Sequence, residues 1–134
     1  MRRPLLLGGI LSVILFITTG GPWSRFVGHS HWQLVEWVPF SAGVRPFDII
    51  ANVALFVPLG ATLAWRRRRL TVILTILAGL LLSTSIELYQ VYCHGRFATM
   101  TDVLTNTCGT AIGATLAARQ TLQVTARPRP SPHT

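Results

Sequence analysis

Four apolar stretches constrain the fold of this chain more than any other feature of its sequence. Residues 4–20, 48–65, 70–92 and 101–118 are mostly apolar, and polar or basic segments separate them. A helix that crosses a bilayer needs about 20 mostly apolar residues, with about 17 as the lower limit. The third stretch meets this requirement easily, the second and fourth meet it narrowly, and the first is the shortest. The sequence therefore predicts an all-α membrane protein, built as a bundle of four transmembrane helices.

The composition argues against a soluble domain and against nucleic-acid binding. Charged residues make up 12% of the chain, whereas a soluble domain carries about 25%. The net charge of +8 comes from 12 arginines and four acidic residues. These arginines cluster at the ends of the apolar stretches and form no basic face or recognition motif. The positive charge therefore indicates membrane topology rather than a nucleic-acid partner.

The arginines also predict the orientation of the four helices. Threading the chain four times through a bilayer places nine arginines on one side and three on the other. The positive-inside rule assigns the side with nine to the cytoplasm, so both termini are expected there. Residues 1–118 then form a multi-pass transmembrane domain with an external loop at residues 21–47. The basic residues 119–134 are expected to form a disordered cytoplasmic tail.

Arg2 and Arg3 followed by an apolar core also resemble a signal peptide, although no clean small-x-small cleavage site follows. The external loop is rich in aromatic residues, which suit a segment lying at the level of the lipid headgroups. His29 and His31 have no third ligand nearby in the sequence, so we expect no metal site here.

Polar side chains fall on one face of each of the last three predicted helices. Residues three or four apart share a helix face, and the pairs here are Asp48 with Asn52, Glu87 with Gln90, and Asp102 with Asn106. All three pairs fall in the outer half of the bilayer. We predict one shared polar site open to the outer surface, with Arg96 as the partner of Asp102 or Glu87. The alternative is that these groups form interhelical hydrogen bonds that hold the bundle together.

Two features of the apolar stretches predict packing rather than chemistry. Gly109 and Gly113 lie four residues apart, a spacing that lets two helices approach closely. They predict tight packing of the fourth helix on a neighbour, and they also offer a face for a homodimer. Pro58 lacks a backbone donor and is expected to kink the second helix.

The order and spacing of these motifs resemble the VanZ-like family of membrane proteins. The segments that carry the resemblance extend from about Trp37 to Leu116, and they are Trp37–Phe40, Asp48–Asn52, Phe56–Gly60, Ser85–Gln90, Arg96 and Asp102–Gly109. The resemblance implies a bacterial cytoplasmic membrane protein. It places the polar pattern of the family on the residues selected above, namely Asp48, Asn52, Glu87, Gln90, Arg96, Asp102 and Asn106. The family takes its name from a protein that gives low-level resistance to the glycopeptide antibiotic teicoplanin.

Three functions are compatible with these residues. The first is binding of a cell-envelope lipid, a lipid-linked cell-wall precursor or a lipophilic glycopeptide at the outer polar site, contributing to teicoplanin-type resistance. The second is an intramembrane enzyme that uses two carboxylates and an arginine on a lipid-linked substrate. The third is a structural scaffold within a membrane complex. No nucleophile elbow or phosphate-cradling loop is present, and no cofactor is expected.

Overall fold

The described residues of this chain form four α-helices, two short strands and one 3₁₀ helix. The computed structural model describes residues 2–20, 25–41, 43–64, 69–94 and 97–126. The helices are α1 (Arg2–Thr18), α2 (Pro46–Leu63), α3 (Arg69–Gln90) and α4 (Met100–Ala126). Strands β1 (Arg25–Phe26) and β2 (Cys93–His94) pair antiparallel, and a short 3₁₀ helix covers Trp32–Leu34. The prediction of an all-helical architecture with four helices is confirmed.

Two of the four helices are long and apolar enough to cross a membrane by themselves. These are α2, with 18 residues, and α3, with 22. The apolar part of α1 is shorter, and α4 is more polar because it carries several threonines and an asparagine. In the structure α4 packs on both α2 and α3, and it buries Thr101, Thr105, Asn106 and Thr110. A helix whose polar side chains are buried against two neighbouring helices does not need apolar residues on every face.

Contacts between helix ends show how the four helices are arranged. The side-chain Nε2 of Gln90, at the end of α3, donates to the carbonyl oxygen of Thr18, at the end of α1, over 2.8 Å. The Nδ2 of Asn52, in the second turn of α2, donates to Oδ1 of Asp102, in the first turn of α4, over 2.5 Å. The bundle is therefore up-and-down. The start of α1 and the end of α4 lie at the end of the bundle opposite to the end of α3 and the start of α4.

Glycines bring the backbones of α2 and α4 into contact. A Cβ atom on Gly109 would overlap the carbonyl oxygen of Val53, and one on Gly113 would overlap that of Val57. On α2, a Cβ atom on Gly60 would overlap the carbonyl oxygen of Thr110 in α4. The face formed by Gly109 and Gly113 is thus covered by α2, so a homodimer would have to form through another surface.

A small apolar core joins α1 to the other helices. Ile14 of α1 is completely buried, and it belongs to one cluster with Phe56 and Leu59 of α2 and Ile86 of α3. Burying such side chains stabilises a fold by roughly 1.5–3 kcal/mol each in water. In a lipid environment packing replaces this driving force. The cluster holds α1 against α2 and α3.

The helix boundaries differ from the predicted ones mainly at α4. This helix continues to Ala126, although residues 119–126 were expected to belong to a disordered tail. No glycine or proline follows Gly113 until Pro128, and proline disfavours helical backbone at the residue before it. Residues 127–134 lie outside the described part of the chain. Helix α2 starts at Pro46 and continues through Pro58 to Leu63.

Candidate functional site

The segment between α1 and α2 crosses the ends of α3 and α4. The backbone N–H groups of Val27 and His31 donate to the carbonyl oxygens of Tyr92 and Val91 at 3.0 and 2.9 Å. Further along, residues 35–37 form a strap over the start of α4. The Glu36 N–H donates to Ala98 O, and the Met100 N–H donates to Glu36 O, both over 3.0 Å. These hydrogen bonds fix the strap above the ends of the helices.

The start of α4 is capped by Thr99 and by a side chain of α3. Thr99 precedes the helix, and its Oγ1 accepts the backbone N–H of Asp102 over 3.0 Å. In a capping box the side chain of the third helical residue would accept the N–H of the cap residue in return. Here Oε2 of Glu87, from α3, accepts the Thr99 N–H over 2.8 Å. The carboxylate of Asp102 instead accepts the hydrogen bond from Asn52 of α2.

A polar cavity of about 530 Å³ lies between the strap and the starts of α2 and α4. Four of the predicted site residues line it, and they are Asp48, Asn52, Gln90 and Asp102. Three different helices contribute these side chains, as the periodicity of the sequence predicted. Further polar side chains complete the lining, and they are Glu36, Arg45, Thr99 and Thr101.

Each carboxylate of the polar cavity has a hydrogen-bond donor. Oδ2 and Oδ1 of Asp48 accept from Nε and Nη2 of Arg45 at 2.9 and 3.1 Å. The hydrogen bond to Asp48, and then the attraction between the two charges, raise the pKa of the Arg45 guanidinium, which lies before the first turn of α2. Oε1 of Glu36 accepts from the Ser41 hydroxyl. The cavity therefore presents oriented carboxylates, amides and hydroxyls, which suit a ligand rich in hydroxyl, amide or amine groups.

Two predicted site residues lie outside the polar cavity. Glu87 is 7% exposed and lines a separate apolar groove of about 210 Å³. Asn106 is 1% exposed and donates from Nδ2 to the Ser83 hydroxyl over 2.9 Å, deeper between α3 and α4. These contacts match the alternative in which polar groups hold the helices together. Arg96, the expected partner of Asp102 or Glu87, lies outside the described residues.

The structure offers no grouping typical of a metal site within its described part. The rings of His29 and His31 contact each other edge to face, with centroids 4.8 Å apart. Among the residues that the structure describes, no three histidine, cysteine, aspartate or glutamate side chains come together to hold a metal ion.

Glu36, Arg45, Thr99 and Thr101 were not selected from the sequence. Two local sequence patterns could have identified Thr99 and Arg45. Thr99 stands three residues before Asp102, the spacing of a capping box. Arg45 directly precedes Pro46 and stands three residues before Asp48, and a proline followed by an acidic residue marks the start of a helix. Glu36 and Thr101 reach the cavity through long-range contacts, which no short sequence pattern encodes.

The comparison with protein families agrees with the resemblance that the sequence motifs show. A family model described as VanZ/LLP1 matches residues 5–122, which is most of the chain. The chain belongs to the VanZ/LLP1 family. This match confirms the resemblance seen in the sequence and extends it into α1 and the later part of α4. No curated protein matches the chain, and no solved structure matches it. Proteins of the VanZ/LLP1 family are membrane proteins, in agreement with the two membrane-capable helices α2 and α3.

Proposed function

We propose that all four helices cross the bacterial cytoplasmic membrane, with both termini in the cytoplasm and the polar cavity at the outer face. The hydrogen bonds from Gln90 to Thr18 and from Asn52 to Asp102 support an up-and-down arrangement. The end of α2 and the start of α3 lie at the opposite end of the bundle from the cavity. The sequence that joins them is basic, and basic connections remain in the cytoplasm. Around the cavity, exposed aromatic side chains suit the headgroup level, and they are Trp37, Phe40, Phe47 and Phe97.

The protein acts as a binding protein for the polar headgroup of a cell-envelope molecule. A cell-envelope lipid, a lipid-linked cell-wall precursor or a lipophilic glycopeptide would present such a headgroup at the outer leaflet. The observation that carries this proposal is the polar cavity of about 530 Å³, to which α2, α3 and α4 each contribute polar side chains. Membership in the VanZ/LLP1 family supports a contribution to teicoplanin-type resistance.

A measurement of antibiotic susceptibility in cells tests this proposal. Wild-type protein is expected to raise the teicoplanin concentration that inhibits a susceptible host, compared with an empty vector. Asn52→Ala removes a side chain that lines the cavity and should lose this protection at equal membrane abundance. Thr62→Ala is the matched control, because Thr62 lies on the same helix near its other end and bonds only locally in α2, from Oγ1 to Pro58 O.

Two results would count against the proposed function. Absence of protection by the wild-type protein would refute the contribution to teicoplanin resistance. Equal protection by wild type and Asn52→Ala, at matched abundance, would show that the polar cavity is not the site.

A further inference from the structure

The strap at residues 35–37 separates two voids of different chemistry. Its side chains alternate, as in an extended strand, so that Glu36 lines the polar cavity while Val35 and Trp37 line the apolar groove. Thr99 lines both voids. The two voids are therefore neighbours on the two faces of the strap, and Thr99, which pairs with Glu36, lies between them.

The apolar groove continues a lipid-facing stripe of α3. Leu77 and Leu81 are exposed on this membrane-capable helix, and Thr84 and Leu88 follow them at the spacing of one helix face. Both Thr84 and Leu88 line the groove. A hydrocarbon chain that lies against α3 in the membrane would meet the groove at the end of this stripe.

The groove is almost entirely apolar. Its walls are formed by Val91, which directly follows α3, by Val103 of α4 and by the two stacked indole rings of Trp32 and Trp37. The Glu87 carboxylate also lines it, and its Oε2 accepts the Thr99 N–H. Such a lining suits an unbranched hydrocarbon chain and offers little to a second polar group.

From these two adjoining voids we infer that a single amphiphile occupies both, with its polar headgroup in the polar cavity and one acyl chain in the apolar groove. This inference rests on the proposed function. It makes the ligand class more specific, namely an amphiphile with a polar headgroup and an acyl chain. The molecule enters sideways from the outer leaflet along α3. Its headgroup and chain meet at Thr99.

Photolabelling tests the inference directly. The full-length protein is placed in phosphatidylcholine nanodiscs with a radiolabelled alkyl glucoside that carries a diazirine in its chain. Retained radioactivity reports binding, and mass spectrometry locates the crosslinks after illumination. We expect crosslinks at Val91 and Val103 to exceed those at the lipid-facing Leu77 and Leu81 by at least fivefold.

Matched substitutions on α3 report on the groove. Thr84→Trp fills the groove from an exposed position and should lower the groove crosslinks at least fivefold. Ser85→Trp adds the same bulk at the next residue, which is exposed and does not line the groove, and it should leave them unchanged. Asn52→Ala, in the polar cavity, should also lower them, because it weakens the hold on the headgroup.

The outcomes separate this inference from the proposed function. If Asn52→Ala lowers retention of the probe but Thr84→Trp does not lower the groove crosslinks, the two-part site is refuted and the headgroup site stands. If Thr84→Trp lowers the crosslinks and Asn52→Ala has no effect, one molecule does not span both voids. If neither substitution changes binding, both proposals fail.

Discussion

Oε2 of Glu87 on α3 lies 2.8 Å from the backbone nitrogen of Thr99 and accepts its hydrogen bond. A side chain from one helix thus completes the cap of another. Because Glu87 takes this position, the carboxylate of Asp102 accepts a hydrogen bond from Asn52 at the polar cavity. Glu87 was selected from the sequence as a candidate functional residue. In this contact it stabilises the start of α4, next to the polar cavity.

Replacing Glu87 should therefore destabilise the protein in a graded way. Glu87→Ala leaves the partly buried N–H of Thr99 without this acceptor, which costs up to about 1–3 kcal/mol, the penalty for a fully buried, unsatisfied donor. Glu87→Gln keeps an acceptor oxygen and should cost less. Thermal unfolding of the purified protein in detergent measures both effects. If Glu87→Gln lowered the melting temperature as much as Glu87→Ala, the capping hydrogen bond would not explain the role of this residue.

The glycine contact between α2 and α4 predicts a second difference in stability. Gly113→Ala places a methyl group against the backbone of Val57, and such overpacking costs about 1–3 kcal/mol. Gly9→Ala is the matched control, because a Cβ atom there meets nothing within 4 Å and alanine favours a helix by up to about 1 kcal/mol. Membrane abundance and thermal stability should fall for Gly113→Ala alone. An equal loss for both variants would contradict the close approach of the helices.

The four-span topology predicts the location of the end of α4. Alkaline phosphatase is active only outside the cytoplasm, so a fusion after Ser41 should be active and a fusion after Ala126 should be inactive. A fusion after Ala64, between α2 and α3, is the control for the cytoplasmic side. An active enzyme after Ala126, together with an inactive one after Ala64, would show that α4 does not cross the membrane.

Periodicity in the sequence predicted the parts of this structure that depend on helix faces. The four-residue spacing of Asp48 and Asn52 places both on one face of α2, and Asp102 of α4 and Gln90 of α3 meet them at one cavity. Apolar runs likewise indicated the four helices, because their lengths are set by local composition. The spacing does not fix depth or rotation between helices.

The remainder of the site depends on contacts between distant segments. Asn106 shares a stripe with Asp102, yet it lies one turn deeper and pairs with Ser83 instead of lining the cavity. Backbone hydrogen bonds between Glu36 and both Ala98 and Met100 hold the strap in position. Backbone groups carry no residue-specific signal, so a single sequence does not reveal this pairing.

Equilibrium binding to the purified protein shows whether the polar cavity is the ligand-binding site. Wild type, Asn52→Ala and Thr62→Ala are compared in nanodiscs with teicoplanin and, separately, with a lipid-linked cell-wall precursor. Wild type and Thr62→Ala are expected to bind at least one of these molecules equally well. Asn52→Ala should bind it about tenfold more weakly, which corresponds to about 1.4 kcal/mol. Binding that is equally strong in all three proteins, or absent from all three, would contradict the assignment of the polar cavity as the binding site.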